Sequence, residues 1–111
     1  MMRLETVVTL FPDLDTVELT AWVEQRWVQP LAGEDNTWIF HEIDVARVRL
    51  IYDLRRTFDT PEETVSLVLS LVDQVYELRC TLRAVEQALA TQPPAVRDAV
   101  LAALKARDRD H

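Results

Sequence analysis

Val68-Leu71-Val75-Leu78-Leu82-Val85-Leu89 is the stretch that decides the fold. The steps between those residues run 3, 4, 3, 4, 3, 4, an unbroken a/d heptad. An apolar side chain every 3.5 residues on average keeps one narrow stripe on one face of a helix, and two such stripes bury each other. Thr60-Pro61-Glu62-Glu63 marks the start, with a hydroxyl at the N-cap, a Pro whose missing N–H costs nothing at the first position, and a Glu completing a capping box. No Gly or Pro follows until Gln92-Pro93-Pro94. The helix should therefore hold about 30 residues and run roughly 45 Å at 1.5 Å per residue.

The stripe changes along its length. Up to Tyr76, the apolar residues Val65, Leu67, Leu69, Val72 and Tyr76 widen it, so that this half should pack on both its own chain and a partner. Past Glu77 the off-seam positions carry Arg79, Thr81, Arg83, Glu86 and Gln87, as expected of a helix touching one partner alone. A core helix of a monomeric bundle is the alternative. In 111 residues there are few other helices to cover so long a stripe, which favours a homodimer, parallel or antiparallel.

The length allows one domain, or a small module plus a long helix. A single Gly favours helices with short connections over a multi-stranded sheet. No apolar run approaches a membrane span and no leader pattern opens the chain, so a soluble, cytoplasmic protein away from membranes is expected. The lone Cys80, at an outer heptad position, suits a reducing cytosol.

Charge is divided unevenly. Residues 1–44 hold nine acids against Arg3 and Arg26, and residues 45–111 hold ten acids and ten Lys or Arg, so the net −7 sits entirely on the first part.

Before the long helix, Leu4, Val7, Val8 and Phe11 are spaced for a short helix over residues 3–11 stopped by Pro12, although Thr6-Val7-Val8-Thr9 also fits a strand. Asp15-Thr16-Val17-Glu18 signs the start of a second helix, to about Trp27, with Leu19, Trp22, Val23 and Trp27 inside and Pro30 closing its exit. Two such helices make a helix-turn-helix. The turn cluster Gly33-Glu34-Asp35-Asn36 and the strand formers Thr37-Trp38-Ile39-Phe40 read as a wing, with Trp38 or Phe40 folded onto the core. Asp44 should cap a third helix through Val45, Val48, Ile51, Tyr52 and Phe58, its wet sides carrying Arg47, Arg49, Arg55 and Arg56. Val96, Val100, Leu101 and Leu104 give a last amphipathic helix, expected to cover the long one, before a frayed tail from Arg107 to His111. The expected organisation is mainly α: a winged helix-turn-helix module with its connecting helix over residues 1–58, a coiled-coil helix over 59–91 and a short C-terminal helix over 92–111.

Catalytic chemistry is hard to assemble from these residues. His41, read as a surface residue, and His111 are the two histidines, and with one Cys a transition-metal site lacks ligands. One Gly leaves no phosphate loop or dinucleotide fingerprint, and no nucleophile motif is present. A non-catalytic protein without cofactor is expected.

The order helix-turn-helix, wing, connecting helix, long helix resembles the MerR class of transcription regulators. Their Ser-x-x-Thr-Leu-Arg-Tyr-Tyr-Glu-x-x-Gly-Leu-Leu-x-Pro run falls on residues 15–30. There the apolar skeleton and Pro30 persist, but Thr20-Ala21-Trp22 replaces the DNA-facing Arg-Tyr-Tyr and Arg26 replaces Gly. The usual wing Arg is missing as well. The chain is more similar to the CbpM family of chaperone modulators, relatives of that class, in Val28-Gln29-Pro30, Trp38-Ile39-Phe40, the Arg49-Leu50 to Leu54-Arg55 pattern, and Leu69, Leu71, Asp73, Leu78 and Arg79. The likeness covers roughly residues 4–90. It implies binding to the J-domain of a CbpA-type, DnaJ-like co-chaperone, which would block its action on a DnaK-type Hsp70.

Charge decides between the two relatives on physical grounds. Affinity for a duplex rests on Lys and Arg meeting phosphates, and a module this acidic repels one. Asp15, Asp44 and Glu18 fall at helix caps. Glu24, Glu34, Asp35 and Glu42 lie on the surfaces that would otherwise approach DNA, so with Glu18 they are the candidate contacts for a basic partner. The dimer seam candidates are Val68, Leu71, Val75, Leu78, Leu82, Val85 and Leu89. A DNA-binding regulator without an effector domain, and a scaffolding coiled coil capped by the module, are the competing readings.

Overall fold

The computed structural model describes residues 1–109, and the chain is mainly helical with one small sheet. Contacts divide it into two compact units, Met1–Ser70 and the residues from Leu71 on.

In the first unit a two-residue strand, β1 (Met2–Arg3), leads into α1 (Leu4–Val8), which buries Val7 completely. The helix is shorter than its apolar spacing suggests. The Thr9 hydroxyl donates to the Thr6 carbonyl at 2.6 Å and closes the last turn. Phe11 and Leu14 reach the core from the irregular segment beyond it.

Asp15 caps α2 (Thr16–Glu24) as its sequence signature requires, its carboxylate accepting from the Glu18 amide at 2.8 Å. Leu19 and Trp22 are buried, and Val23 packs beside them. Contrary to expectation the helix stops before Trp27. The Arg26 amide donates to the Val23 carbonyl and the Trp27 amide to the Trp22 carbonyl, both at 3.0 Å, with Arg26 at φ 63° between them. This is the Schellman pattern, and its left-handed residue is usually Gly. Trp27 and Val28 are carried into the core from outside the helix.

The strand formers belong to a three-stranded sheet, where one strand was expected. β2 (Leu31–Ala32) and β3 (Trp38–Phe40) form an antiparallel hairpin, with Leu31 opposite Ile39 and Ala32 opposite Trp38. β1 pairs with the other edge of β3, Met2 opposite Phe40 and Arg3 opposite Ile39, giving the order β1-β3-β2. Asp35 and Asn36 turn the tip with φ of 58° each, which short polar side chains tolerate. Gly33 sits in a tight place: an added Cβ would stand 3.0 Å from Ile39 Cδ1 and from Thr37 Oγ1, so those side chains would have to shift. Phe40 is fully buried and Trp38 partly so.

α3 (Glu42–Arg56) begins earlier than Asp44 implied. His41 is the N-cap, half-buried rather than a plain surface residue, and Asp44 stands at the third helical position, where its carboxylate accepts from the His41 amide at 2.8 Å. Val48 and Ile51 are buried, whereas Phe58 lies past the helix end and is 70% exposed. Tyr52 ties α3 to the segment after α1: its hydroxyl donates to the Pro12 carbonyl at 2.7 Å and its ring meets Phe11 at 5.2 Å.

α4 (Glu62–Ala90) opens with the Val65 amide donating to the Pro61 carbonyl, so Pro61 rather than Thr60 holds the N-cap place. It is continuous for 29 residues, as the absence of breakers predicted. Val65 and Leu69 are buried in the first unit, and the Trp27 indole donates to the Ser66 hydroxyl at 3.0 Å.

In the second unit, Thr91, Gln92 and Pro93 join the rest of α4 to α5 (Pro94–Arg109). The expected frayed tail is helical through Arg109; Asp110 and His111 lie outside the described residues. The expected cover is not made. Val96, Val100, Leu101 and Leu104 of α5 and Leu78, Leu82 and Val85 of α4 are all exposed.

Two outcomes follow from this packing. Arg26→Gly should stabilise the first unit by about 0.5–1 kcal/mol in urea unfolding, because Gly adopts the left-handed conformation without the Cβ clash. Phe40→Ala should cost about 3–5 kcal/mol in the same assay, the usual loss for a buried aromatic.

Candidate functional site

The candidate acids occupy three places in the first unit. Glu24 ends α2, Glu34 and Asp35 form the hairpin tip, and Glu42 is the first residue of α3; all four are exposed. Glu18 is used differently. Its carboxylate takes both Nη atoms of Arg56, at 2.5 and 3.2 Å, tying α2 to α3. That hydrogen bond raises the Arg56 pKa above its ordinary value, burial opposes the rise, and the Glu18 charge adds to it. A group whose pKa rises on folding lends stability at every pH below its unfolded value. For an arginine that covers the neutral and alkaline range.

Sequence reasoning passed over two further acids. Glu62 and Glu63, counted there as the start of α4, line an open cleft of about 340 Å³ with Gln25, Trp27 and Ser66. The cleft places them beside the residue that follows Glu24. The visible signal was two adjacent carboxylates in a helix first turn, where the dipole alone explains acids.

The arginines of α3 meet groups of their own unit, although Arg49 and Arg56 remain exposed. Arg47 donates from Nε to the Trp27 carbonyl, Arg55 to the Thr60 carbonyl at 2.7 Å, and Arg56 to the Asp13 carbonyl at 3.2 Å besides Glu18. Arg49 lies over the Phe11 ring at 5.1 Å and Arg56 over Tyr52 at 5.3 Å. Met1–Ser70 contains thirteen acids and six arginines, net −7, while the remainder holds six of each sign. The acidic excess of residues 1–44 therefore lies wholly within the first unit, whose remaining residues are neutral in sum. Four of the six cations in the acidic unit are engaged by its own carbonyls, rings or carboxylate.

The seam residues are the second candidate surface. Leu71, Val75, Leu78, Leu82 and Val85 are between 47% and 69% exposed, while Val68 and Leu89 are half-buried. Leu67, Val72 and Tyr76, which widen the stripe, are exposed too, so of the widening residues Val65 and Leu69 alone are buried against the chain's own core. Cys80 is exposed, as its outer heptad position implied.

Among the described residues no group of three or more His, Cys, Asp or Glu could hold a metal ion, and no helix is long and apolar enough to cross a membrane. No family model, curated protein or solved structure matches the chain.

The Glu18–Arg56 pair predicts a structural rather than a binding phenotype. Arg56→Ala should lower stability by about 0.5–1.5 kcal/mol, a partly exposed bidentate pair with one further carbonyl bond. The loss should be unchanged from about pH 7 to about pH 10, measured by urea unfolding at each pH.

Proposed function

We propose that the protein is a non-catalytic chaperone modulator that binds the J-domain of a CbpA-type, DnaJ-like co-chaperone and blocks its action on a DnaK-type Hsp70. One observation carries the reading. In a unit of net −7, the α3 arginines are engaged by the unit's own atoms while Glu24, Glu34, Asp35, Glu42, Glu62 and Glu63 face solvent. A surface of that kind attracts a cationic protein and repels phosphate.

The resemblance to the CbpM family supplies the partner's identity, since a J-domain meets its Hsp70 through a basic helix. Arg26 adds support. Where the related run has Gly, this chain keeps the left-handed turn that Gly would serve, at φ 63°. In this reading the hairpin over β2 and β3 is the wing of a winged helix-turn-helix. In this reading the acidic module occupies the basic helix that the Hsp70 needs. The exposed seam from Val68 to Leu89 then joins two copies, so a homodimer presents two such modules in the cytoplasm.

The main competitor is a MerR-like DNA-binding regulator without an effector domain. It requires cations that the first unit keeps for itself.

Binding of a purified J-domain should weaken steeply as salt rises, chiefly through the association rate. Changing Glu24, Glu34 and Glu42 together to Lys should weaken it at least about tenfold with the circular dichroism unchanged. Salt-insensitive binding, or a triple variant that binds normally, would remove the acidic-surface mechanism. Retardation of random duplex DNA at micromolar protein would favour the regulator.

A further inference from the structure

The open cleft of about 340 Å³ beside Trp27 draws its walls from two separate stretches of the first unit. Gln25 and Trp27 come from the end of α2 and the turn after it, with the left-handed Arg26 between them. Glu62, Glu63 and Ser66 come from the first turns of α4. These walls are tied together before anything enters. The Trp27 indole donates to Ser66 Oγ at 3.0 Å, and the Trp27 carbonyl accepts from Arg47 Nε, so the turn is held to both α4 and α3. A cavity with sides already fixed loses little conformational freedom on being filled.

The polar lining has one character. Glu62 and Glu63 bring two carboxylates, Gln25 an amide oxygen, and Ser66 an oxygen with a lone pair left after accepting from the indole. Ser66 follows Glu62 by four residues and Glu63 by three, so all three share one face of α4. Among the described residues neither carboxylate has an ion-pair or hydrogen-bond partner. Arg26 is exposed and pairs with neither, and Arg55 is bonded to the Thr60 carbonyl instead. Adjacent negative charges without a counter-charge repel each other, and a cation placed between them relieves that cost.

The chemistry of the walls selects an organic cation over a metal ion. Calcium takes about six to eight oxygens. Among the described residues no three His, Cys, Asp or Glu side chains come together to begin such a shell. An aromatic wall, by contrast, favours an ammonium or guanidinium group. Leu67 supplies an apolar neighbour. It is exposed and follows Glu63 by one helical turn, so a segment that sets its cation in the cleft can rest an apolar side chain there.

We infer that this cleft anchors the partner of the acidic surface by taking one lysine or arginine side chain from a basic helix, with Leu67 receiving the apolar residue beside it. The inference rests on the reading above and deepens it by dividing the acids between two tasks. Glu62 and Glu63 hold the partner and set its dissociation rate, whereas Glu34 and Asp35 at the hairpin tip attract it from a distance and set its association rate.

Two titrations of the full chain test it, both reading the indole N–H resonance of Trp27, assigned by its loss in Trp27→Phe. Acetyl-arginine amide should move that resonance saturably, and its uncharged citrulline analogue should not. The double variant Glu62→Gln, Glu63→Gln should abolish the movement. No movement, or an equal one in the variant, overturns the cleft whatever the natural partner is. With a purified J-domain, the same variant should bind about tenfold more weakly through faster dissociation. Glu34→Gln with Asp35→Asn removes as much charge from the same unit, and should cost less than about threefold through slower association. Circular dichroism should be unchanged in both variants. Equal losses from the two pairs overturn the cleft and leave the acidic-surface reading standing. A wild-type chain that responds to the arginine amide but binds no J-domain overturns the partner in that reading and upholds the cleft.

Discussion

The structure depends on one helix having two apolar faces with different destinations. Val65 and Leu69 fix the beginning of α4 in the core, and the seam from Val68 to Leu89 lies about a third of the way round the same helix. Had the seam alone been apolar, the helix would have no anchor in its own chain. Had the two faces coincided, the module would bury the residues that now stand open. Offsetting them lets a single continuous helix belong to a folded unit and still expose a long stripe.

Local chemistry was the most readable part of the sequence. The Asp15 cap and the uninterrupted run of α4 involve neighbours a few residues apart, so spacing alone finds them. Burial was legible where its element was not: Trp27 follows the α2 period and is buried, yet it lies beyond a left-handed turn that the Arg at position 26 disguises. Asp44 reads as the cap because Asp is a common N-cap residue and His is not, yet it stands at the third helical position and accepts from the His41 amide. β2 has two exposed residues and no alternation to detect. The amphipathic period of α5 says that a face needs cover without saying what supplies it.

Electrostatics were half legible. Counting charges located the acidic part of the chain, and the structure shows the same excess within Met1–Ser70. What a count cannot give is which charges are already engaged. The four arginines on the wet sides of α3 also meet carbonyls, rings and Glu18, because a long side chain can return along its own surface to a group its periodicity never mentions. Glu18 is engaged by Arg56 in the same way.

Trp27 joins two helices through two chemically different ends. Its indole is a side-chain tie to Ser66 of α4, and its carbonyl is a main-chain tie to Arg47 of α3. Drift at position 27 can therefore erase the first link but never the second, since every amino acid brings a carbonyl. The α3 connection is vulnerable from one side alone, and the burden of preserving it falls on a residue twenty positions downstream.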